Sequence, residues 1–103
     1  MHPLVASRKK EIAELCRRYR VRRLDVFGSA ARGDDFVPAR SDADFLVEFE
    51  QPGERSALDE YFGFQESLEK LLGRPVDLIE AGAVRNPFVL SSINRSKELV
   101  YAA

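Results

Sequence analysis

Cysteine and histidine are almost absent from this chain of 103 residues, which has one of each and no tryptophan. The single cysteine, Cys16, rules out an internal disulfide and predicts a reducing, cytoplasmic setting. Zinc sites are usually built from about four Cys or His ligands, so the composition argues against zinc. His2, close to the first residue, is an equally poor base for a serine-hydrolase triad.

Long apolar runs are also missing. No stretch approaches the ~20 apolar residues that span a bilayer, and the first residues lack the apolar segment of a signal peptide. We therefore expect neither a membrane helix nor a secretory leader. The length and the 45% hydrophobic composition predict one domain, residues 1–103, with a modest core.

Two widespread phosphate- or cation-binding motifs are absent. No glycine is followed by Lys-Ser or Lys-Thr, so the chain has no Walker-type loop. An EF-hand beginning at Asp42 would need an oxygen ligand and then a glycine where the chain has Leu46 and Val47. Sugar transferases and haloacid-type phosphatases place Asp-x-Asp after an apolar strand, whereas here the apolar run follows it.

Basic residues are concentrated near the start of the chain, although the formal net charge is only −1. Residues 8–23 hold half of the 16 Lys and Arg residues: Arg8, Lys9, Lys10, Arg17, Arg18, Arg20, Arg22 and Arg23. The hypothesis that we favour is a solvated helix face. A docking surface for a partner protein is the second hypothesis, and nucleic-acid binding is the third.

The hydrophobic pattern predicts alternating helices and strands. An amphipathic helix is expected from about 4 to 19, and strands are expected over 22–27, 44–50, 76–80 and 99–101. A long helix should begin at Ser56, with Asp59 as an imperfect capping-box partner, and should end at Gly73. Its predicted buried stripe consists of Leu58, Phe62, Leu68, Leu71 and Leu72. Asn86 and Pro87 predict the start of a short helix that carries Phe88, Val89 and Ile93. This order predicts a mixed α/β fold with a small sheet.

The most informative feature is Gly28-Ser29 at the end of one strand, followed by Asp42-x-Asp44 at the head of the next. Strand residues two apart project from one face, so Asp42 and Asp44 should lie close together. Their repulsion favours a cation between them. The backbone N–H groups after Gly28 can form a phosphate cradle, and the hydroxyl of Ser29 can bind a terminal phosphate oxygen.

Asp77 is the third acid of interest because it interrupts the apolar strand at 76–80. A carboxylate buried there is unfavourable unless it is paired or bound to a cation. We expect Asp77 to complete a metal site with Asp42 and Asp44. The structural alternative is a salt bridge to Arg74 or to another arginine at a strand end. Arg32 is either a phosphate clamp or the partner of a nearby acid.

Residues 27–33 and 41–49 together resemble the signature of the minimal nucleotidyltransferases of the polymerase-β superfamily. The resemblance implies a polymerase-β-like nucleotidyltransferase fold over essentially the whole chain. It also implies two Mg²⁺ or Mn²⁺ ions held by Asp42, Asp44 and Asp77, with ATP as the substrate. The chain departs mildly from the family pattern at Ala43 and Phe45, beneath the acids.

Such small proteins are often the antitoxin of a module whose toxin is a helical HEPN ribonuclease. The resemblance therefore implies transfer of AMP to a tyrosine hydroxyl of a HEPN partner. Two alternatives remain open. The chain could neutralise its partner by occlusion alone, or it could modify a small molecule in a pocket that a second subunit completes.

Overall fold

A computed structural model describes residues 2–28, 43–50 and 57–103 of the chain, with the side chain of Ala57 left aside. Its helices are α1 (Pro3–Ala6), α2 (Lys9–Arg18), α3 (Ala57–Leu72) and α4 (Pro87–Ser96). Its strands are β1 (Val21–Phe27), β2 (Ala43–Phe49), β3 (Val76–Glu80) and β4 (Glu98–Ala102). A short 3₁₀ turn, Ala81–Ala83, follows β3. The predicted mixed α/β class is confirmed.

The four strands form one mixed sheet in the order β3-β2-β1-β4. Strand β1 is antiparallel to both of its neighbours, and β2 is parallel to β3. Helix α3 supplies the crossover that parallel neighbours require. The described helices include none with the length and apolar composition needed to cross a membrane.

Alternate residues of the strands face a single core on one side of the sheet. The sheet contributes six residues to this core: Leu24, Val26, Phe45, Val47, Val76 and Leu78. Helices α2 and α3 cover these side chains with Ile12, Cys16, Phe64 and Leu68. Because side chains alternate along a strand, the residues between these positions project from the opposite face. Asp25, Asp44 and Asp77 are among them, so that face carries the acids.

The first predicted helix is interrupted, which corrects the expectation of one helix from about 4 to 19. Helix α1 ends at Ala6 and α2 begins at Lys9, and Arg8 leaves the helical conformation with φ −110° and ψ 10°. The Ser7 hydroxyl donates to the carbonyl of Leu4 at 3.4 Å. Such local hydrogen bonds of serine compete with helix continuation.

The buried stripe of α3 was predicted only in part. Leu68 and Leu72 are buried as expected, but Leu58 and Phe62 are 67% and 57% exposed. Phe64, outside the predicted stripe, is fully buried in their place. Apolar residues lie on two sides of this helix, and the packing against the sheet selects the side of Phe64. The predicted cap at Ser56 lies outside the described residues.

The outer edge of β3 is covered by a stripe of polar side chains from α3. Tyr61 donates to the carbonyl of Leu78, and Gln65 donates to the carbonyl of Val76 at 3.0 Å. Glu69 accepts from the N–H of Val76, also at 3.0 Å. These contacts occupy backbone groups that would otherwise be open to another strand.

Local signals placed the other boundaries correctly. Gly73 ends α3 in the left-handed region, with φ 68°, and its N–H donates to the carbonyl of Glu69 at 2.8 Å. The side chain of Asn86 caps α4 by accepting from the N–H groups of Phe88 and Val89. In α4, Ile93 is buried, whereas Phe88 is 85% exposed.

Candidate active site

The candidate site begins where β1 ends, at Gly28. This glycine has φ 68°, a conformation that side chains other than glycine rarely adopt. An added β-carbon would come within 2.9 Å of the Oδ2 atom of Asp44. The turn after β1 therefore lies against Asp44 on β2. This close approach is possible because Gly28 has no side chain.

Asp44 and Asp77 occupy neighbouring positions in the sheet. They are register partners in the parallel pair of β2 and β3, and Phe27 is the register partner of Asp44 on β1. Neighbouring strands are about 4.8 Å apart, and both acids project from the face away from the core. Asp44 is half-buried and Asp77 is exposed. The pairing thus brings two of the three predicted acids side by side.

The exposure of Asp77 corrects one argument from the sequence. We expected a carboxylate buried in an apolar strand, but β3 is an edge strand and Asp77 faces away from the helices. Its neighbours Val76 and Leu78 point into the core. Among the described residues, neither Arg74 nor any other arginine forms a salt bridge with Asp77, so the structural alternative is not supported in this part of the chain. The argument that burial of Asp77 requires a bound cation therefore does not apply.

The remaining predicted site residues, Ser29, Arg32 and Asp42, lie outside the described residues. Their contributions stay predictions. In the part of the chain that the structure describes, no three His, Cys, Asp or Glu side chains are grouped closely enough to hold a metal ion. The described part of the predicted metal site is the pair of Asp44 and Asp77, two of its three acids.

An ion pair between a buried carboxylate, Asp25, and an exposed guanidinium group, Arg23, lies on the same face, and no sequence motif predicted it. Asp25 is only 2% exposed and accepts two hydrogen bonds from Arg23, at 2.9 and 3.2 Å. The hydrogen bonds and the charge of Asp25 raise the pKa of Arg23. Two-pronged contacts of this kind fix the direction of a guanidinium group. The charge of Asp25 is thereby neutralised by Arg23, two residues earlier on the same strand.

Two further arginines of the basic segment also have acidic neighbours. Arg22 lies 3.7 Å from Glu48, and Arg20 lies 3.9 Å from Glu50. Both pairs are exposed, so each contributes little to stability. They nevertheless reduce the positive potential at the start of β1. Any docking surface on this segment must therefore depend mainly on the basic residues of α2.

Tyr61 connects the site to the outer edge of β3. Its hydroxyl donates to the carbonyl of Leu78, next to Asp77. Partial burial raises the pKa of Tyr61, and the negative charges of Asp77 and Glu80 raise it further. The phenol therefore stays protonated at neutral pH and keeps its role as a hydrogen-bond donor.

Residues 8–100 match the profile of the nucleotidyltransferase domain family. The chain belongs to this family. A relative from Methanocaldococcus jannaschii, named provisionally as a protein adenylyltransferase, is 40% identical over 84 residues; the match covers 82% of this chain and 79% of the relative. The protein adenylyltransferase MntA of Thermococcus cleftensis is 35% identical, with 95% of this chain and 88% of MntA covered.

Solved structures agree with the fold of this nucleotidyltransferase. One described provisionally as a minimal nucleotidyltransferase superposes with a TM-score of 0.74 at 31% identity, covering 95% of both chains. A Shewanella oneidensis complex of a tri-AMPylated HEPN toxin with an MNT antitoxin gives a TM-score of 0.66 at 14% identity. That match covers 96% of this chain and 73% of the other, and at this identity it supports the fold alone. The predicted polymerase-β-like nucleotidyltransferase fold is confirmed.

Proposed function

We propose that this nucleotidyltransferase transfers AMP from ATP to a tyrosine hydroxyl of a helical HEPN-type toxin and so acts as its antitoxin. The observation that carries the proposal is the pairing of Asp44 with Asp77 beside the turn at Gly28. Two acids on the sheet face away from the core, next to a tight backbone turn, suit a triphosphate and its cations. The adenylyltransferase relatives and the toxin complex of the structural neighbour support the choice of substrate and partner.

The donor set fits divalent metal ions of the magnesium class. Mg²⁺ prefers carboxylate oxygens, and the register partners Asp44 and Asp77 bring two carboxylates together on neighbouring strands. Adjacent like charges repel one another unless a cation is present. Asp42, Asp44 and Asp77 would hold two such ions. When bound, the metal supplies charge neutralisation for the triphosphate and lowers the pKa of the attacking hydroxyl.

The chain's own groups have distinct roles in the proposed reaction. The N–H groups that follow Gly28 and the hydroxyl of Ser29 bind the phosphates, and Arg32 clamps them. The tyrosine oxygen forms the new bond to the α-phosphorus, and the bond to pyrophosphate breaks. Asp77 accepts the proton from the tyrosine. Its exposed position on an edge strand leaves room for a protein acceptor to approach.

The test combines this chain, ATP and Mg²⁺ with the helical protein encoded beside it, and measures that protein's mass. We expect a gain of one or more AMP groups. Asp44→Asn and Asp77→Asn should each slow the transfer by about 100-fold or more. Glu80→Gln is the matched control, because Glu80 is an exposed acid on the same strand that faces the other way.

The alternatives predict different results in the same assay. If Asp44→Asn/Asp77→Asn still neutralises the neighbour without any mass gain, the chain acts by occlusion and the proposed transfer is wrong. If AMP appears on a small molecule and never on the neighbour, the proposed acceptor is wrong. Either result would leave the family membership unchanged.

A further inference from the structure

Helix α4 ends at Ser96, directly beside the turn of the candidate site. The hydroxyl oxygen of Ser96 accepts a hydrogen bond from the backbone N–H of Gly28 at 3.2 Å. The two residues are 68 positions apart in the chain. The sequence motifs contain no sign of this contact, because Ser96 lies in a different element from every residue of the Gly-Ser and Asp-x-Asp pair.

The contact matters because Gly28 is the last residue before the proposed phosphate cradle. Phe27 and Asp44 are the final register partners of β1 and β2, so the sheet ladder stops just before this N–H group. A backbone N–H that leaves a ladder in a partly buried place needs another acceptor. Ser96 provides it from the end of α4.

Gly28 is thus held on two sides. Its Cα lies against the carboxylate of Asp44, where a β-carbon would come within 2.9 Å of Oδ2. Its N–H is held by Ser96. These two contacts together set the position of the peptide that leads into the cradle. The Gly-Ser and Asp-x-Asp motifs indicate that Gly28 and Asp44 lie close together, but they give no indication of the hydrogen bond to Ser96.

We propose that Ser96 is a positioning residue for nucleotide binding, which fixes the backbone of Gly28 at the entrance to the predicted phosphate cradle. The inference rests on the proposed nucleotide site. Ser96 acts through Gly28 and makes no contact with substrate in this assignment. The small size of serine suits a position where a helix end meets a strand end.

Three features of α4 support a local role for Ser96. The helix has one buried apolar residue, Ile93, so few packing contacts compete with this hydrogen bond in placing its last turn. The next residue, Lys97, already has an extended backbone. Strand β4 then pairs its first residue, Glu98, with Val26 on β1. The chain therefore passes the Gly28 turn at Ser96 and immediately joins the strand that carries this turn.

The test compares Ser96→Ala, Ser96→Thr and Ser92→Ala by titrating ATP with Mg²⁺ in a calorimeter. Ser96→Ala should raise the dissociation constant about three- to tenfold, the effect expected for one hydrogen bond. Ser96→Thr keeps the γ-oxygen and should restore most of the affinity. Ser92→Ala is the matched control, because Ser92 is an exposed serine one turn earlier on α4.

A second measurement follows the hydrogen bond itself. Amide exchange at Gly28 should be faster in Ser96→Ala than in the unsubstituted protein, and Ser96→Thr should restore the slow rate. The thermal midpoint without nucleotide should fall by a few degrees in Ser96→Ala, because the partly buried N–H of Gly28 loses its acceptor, and it should be unchanged in Ser92→Ala. A lower midpoint with unchanged ATP affinity would make Ser96 a purely structural residue and overturn the inference.

The outcomes separate this inference from the proposed function. If the unsubstituted chain binds ATP with Mg²⁺ and Ser96→Ala binds it equally well, only the role of Ser96 is wrong. If the unsubstituted chain does not bind ATP at all, both the nucleotide site and the role of Ser96 are wrong.

Discussion

The Cα atom of Gly28 lies against the carboxylate of Asp44, so close that a β-carbon would come within 2.9 Å of Oδ2. Gly28 also has a left-handed backbone, with φ 68°. Two independent physical reasons therefore require glycine at the end of β1. The turn at Gly28 and the carboxylate of Asp44 are thus placed as one unit.

The two requirements can be separated by substituting two glycines. Gly73 has the same φ of 68°, but a β-carbon there would meet no atom within 4 Å. Gly28→Ala and Gly73→Ala should both lose about 1–2 kcal/mol of stability from backbone strain. Only Gly28→Ala displaces Asp44, so it alone should slow AMP transfer, by about 10- to 100-fold. Urea denaturation and transfer rates check both effects, and equal activity of the two variants would contradict the contact.

A third glycine is predicted to matter for packing. Gly63 lies within α3, and a β-carbon there would come within 2.7 Å of the Cε1 atom of Tyr19. Alanine normally favours a helix by about 1 kcal/mol over glycine, but here it would overpack the ring. Gly63→Ala should therefore destabilise the protein by about 1–2 kcal/mol in urea denaturation.

The control for this prediction removes the ring. In a Tyr19→Leu background, the loss caused by Gly63→Ala should shrink or reverse, because the clashing atoms are gone. Tyr19→Leu also removes the hydrogen bond between the Tyr19 hydroxyl and Ser67 at 3.2 Å, so the cycle needs all four proteins. An unchanged loss would mean that Gly63 is required for another reason.

The thiol of Cys16 is predicted to be inert in the folded protein. Cys16 is fully buried, and burial raises its pKa to about 12. The thiolate is the reactive form, so a disulfide reagent at pH 8 should react at least about 100-fold more slowly with the folded chain than with the chain in urea. Comparable rates would show that this core opens readily.

The same raised pKa predicts a pH dependence of stability. Between the unfolded value of 9.0 and the folded value of about 12, the folded thiol keeps a proton that the unfolded thiol loses. The free energy of unfolding should therefore fall as pH rises above 9, by about 1 kcal/mol at pH 10. Urea denaturation at pH 8 and pH 10 measures it. Cys16→Ala should show a smaller fall, and an equal fall would assign the effect to other groups.

The hypothesis that the basic segment is a docking surface for a partner protein now depends on the basic residues of α2. Arg20, Arg22 and Arg23 have acidic partners, whereas Arg17 and Arg18 are exposed and form no ion pair with the described residues. If α2 steers a partner, Arg17→Glu/Arg18→Glu should slow association several-fold at low salt and much less near 1 M, where screening acts within about 3 Å. ATP affinity should not change. An unchanged association rate would support the solvated-face hypothesis.

Local sequence signals determined the positions of the strands and several of the helix ends. The strands were predicted to within a residue or two, because runs of branched and aromatic residues at period two report burial directly. Gly73 and the pair of Asn86 and Pro87 marked helix ends through backbone chemistry that needs no distant neighbour. The Gly-Ser and Asp-x-Asp motifs carried the resemblance to the minimal nucleotidyltransferases, and the match to the nucleotidyltransferase domain family confirmed it.

The tertiary structure decided what depends on distant neighbours. Helix α3 has apolar residues on two sides, and only packing against the sheet buries Phe64 and exposes Phe62. The strand order makes β3 an edge, which is why Asp77 is exposed. The contact between Ser96 and Gly28 exists because β4 pairs with β1 and brings the end of α4 to the turn. No periodicity or motif encodes such a contact, since it depends on which elements become neighbours when one core is closed.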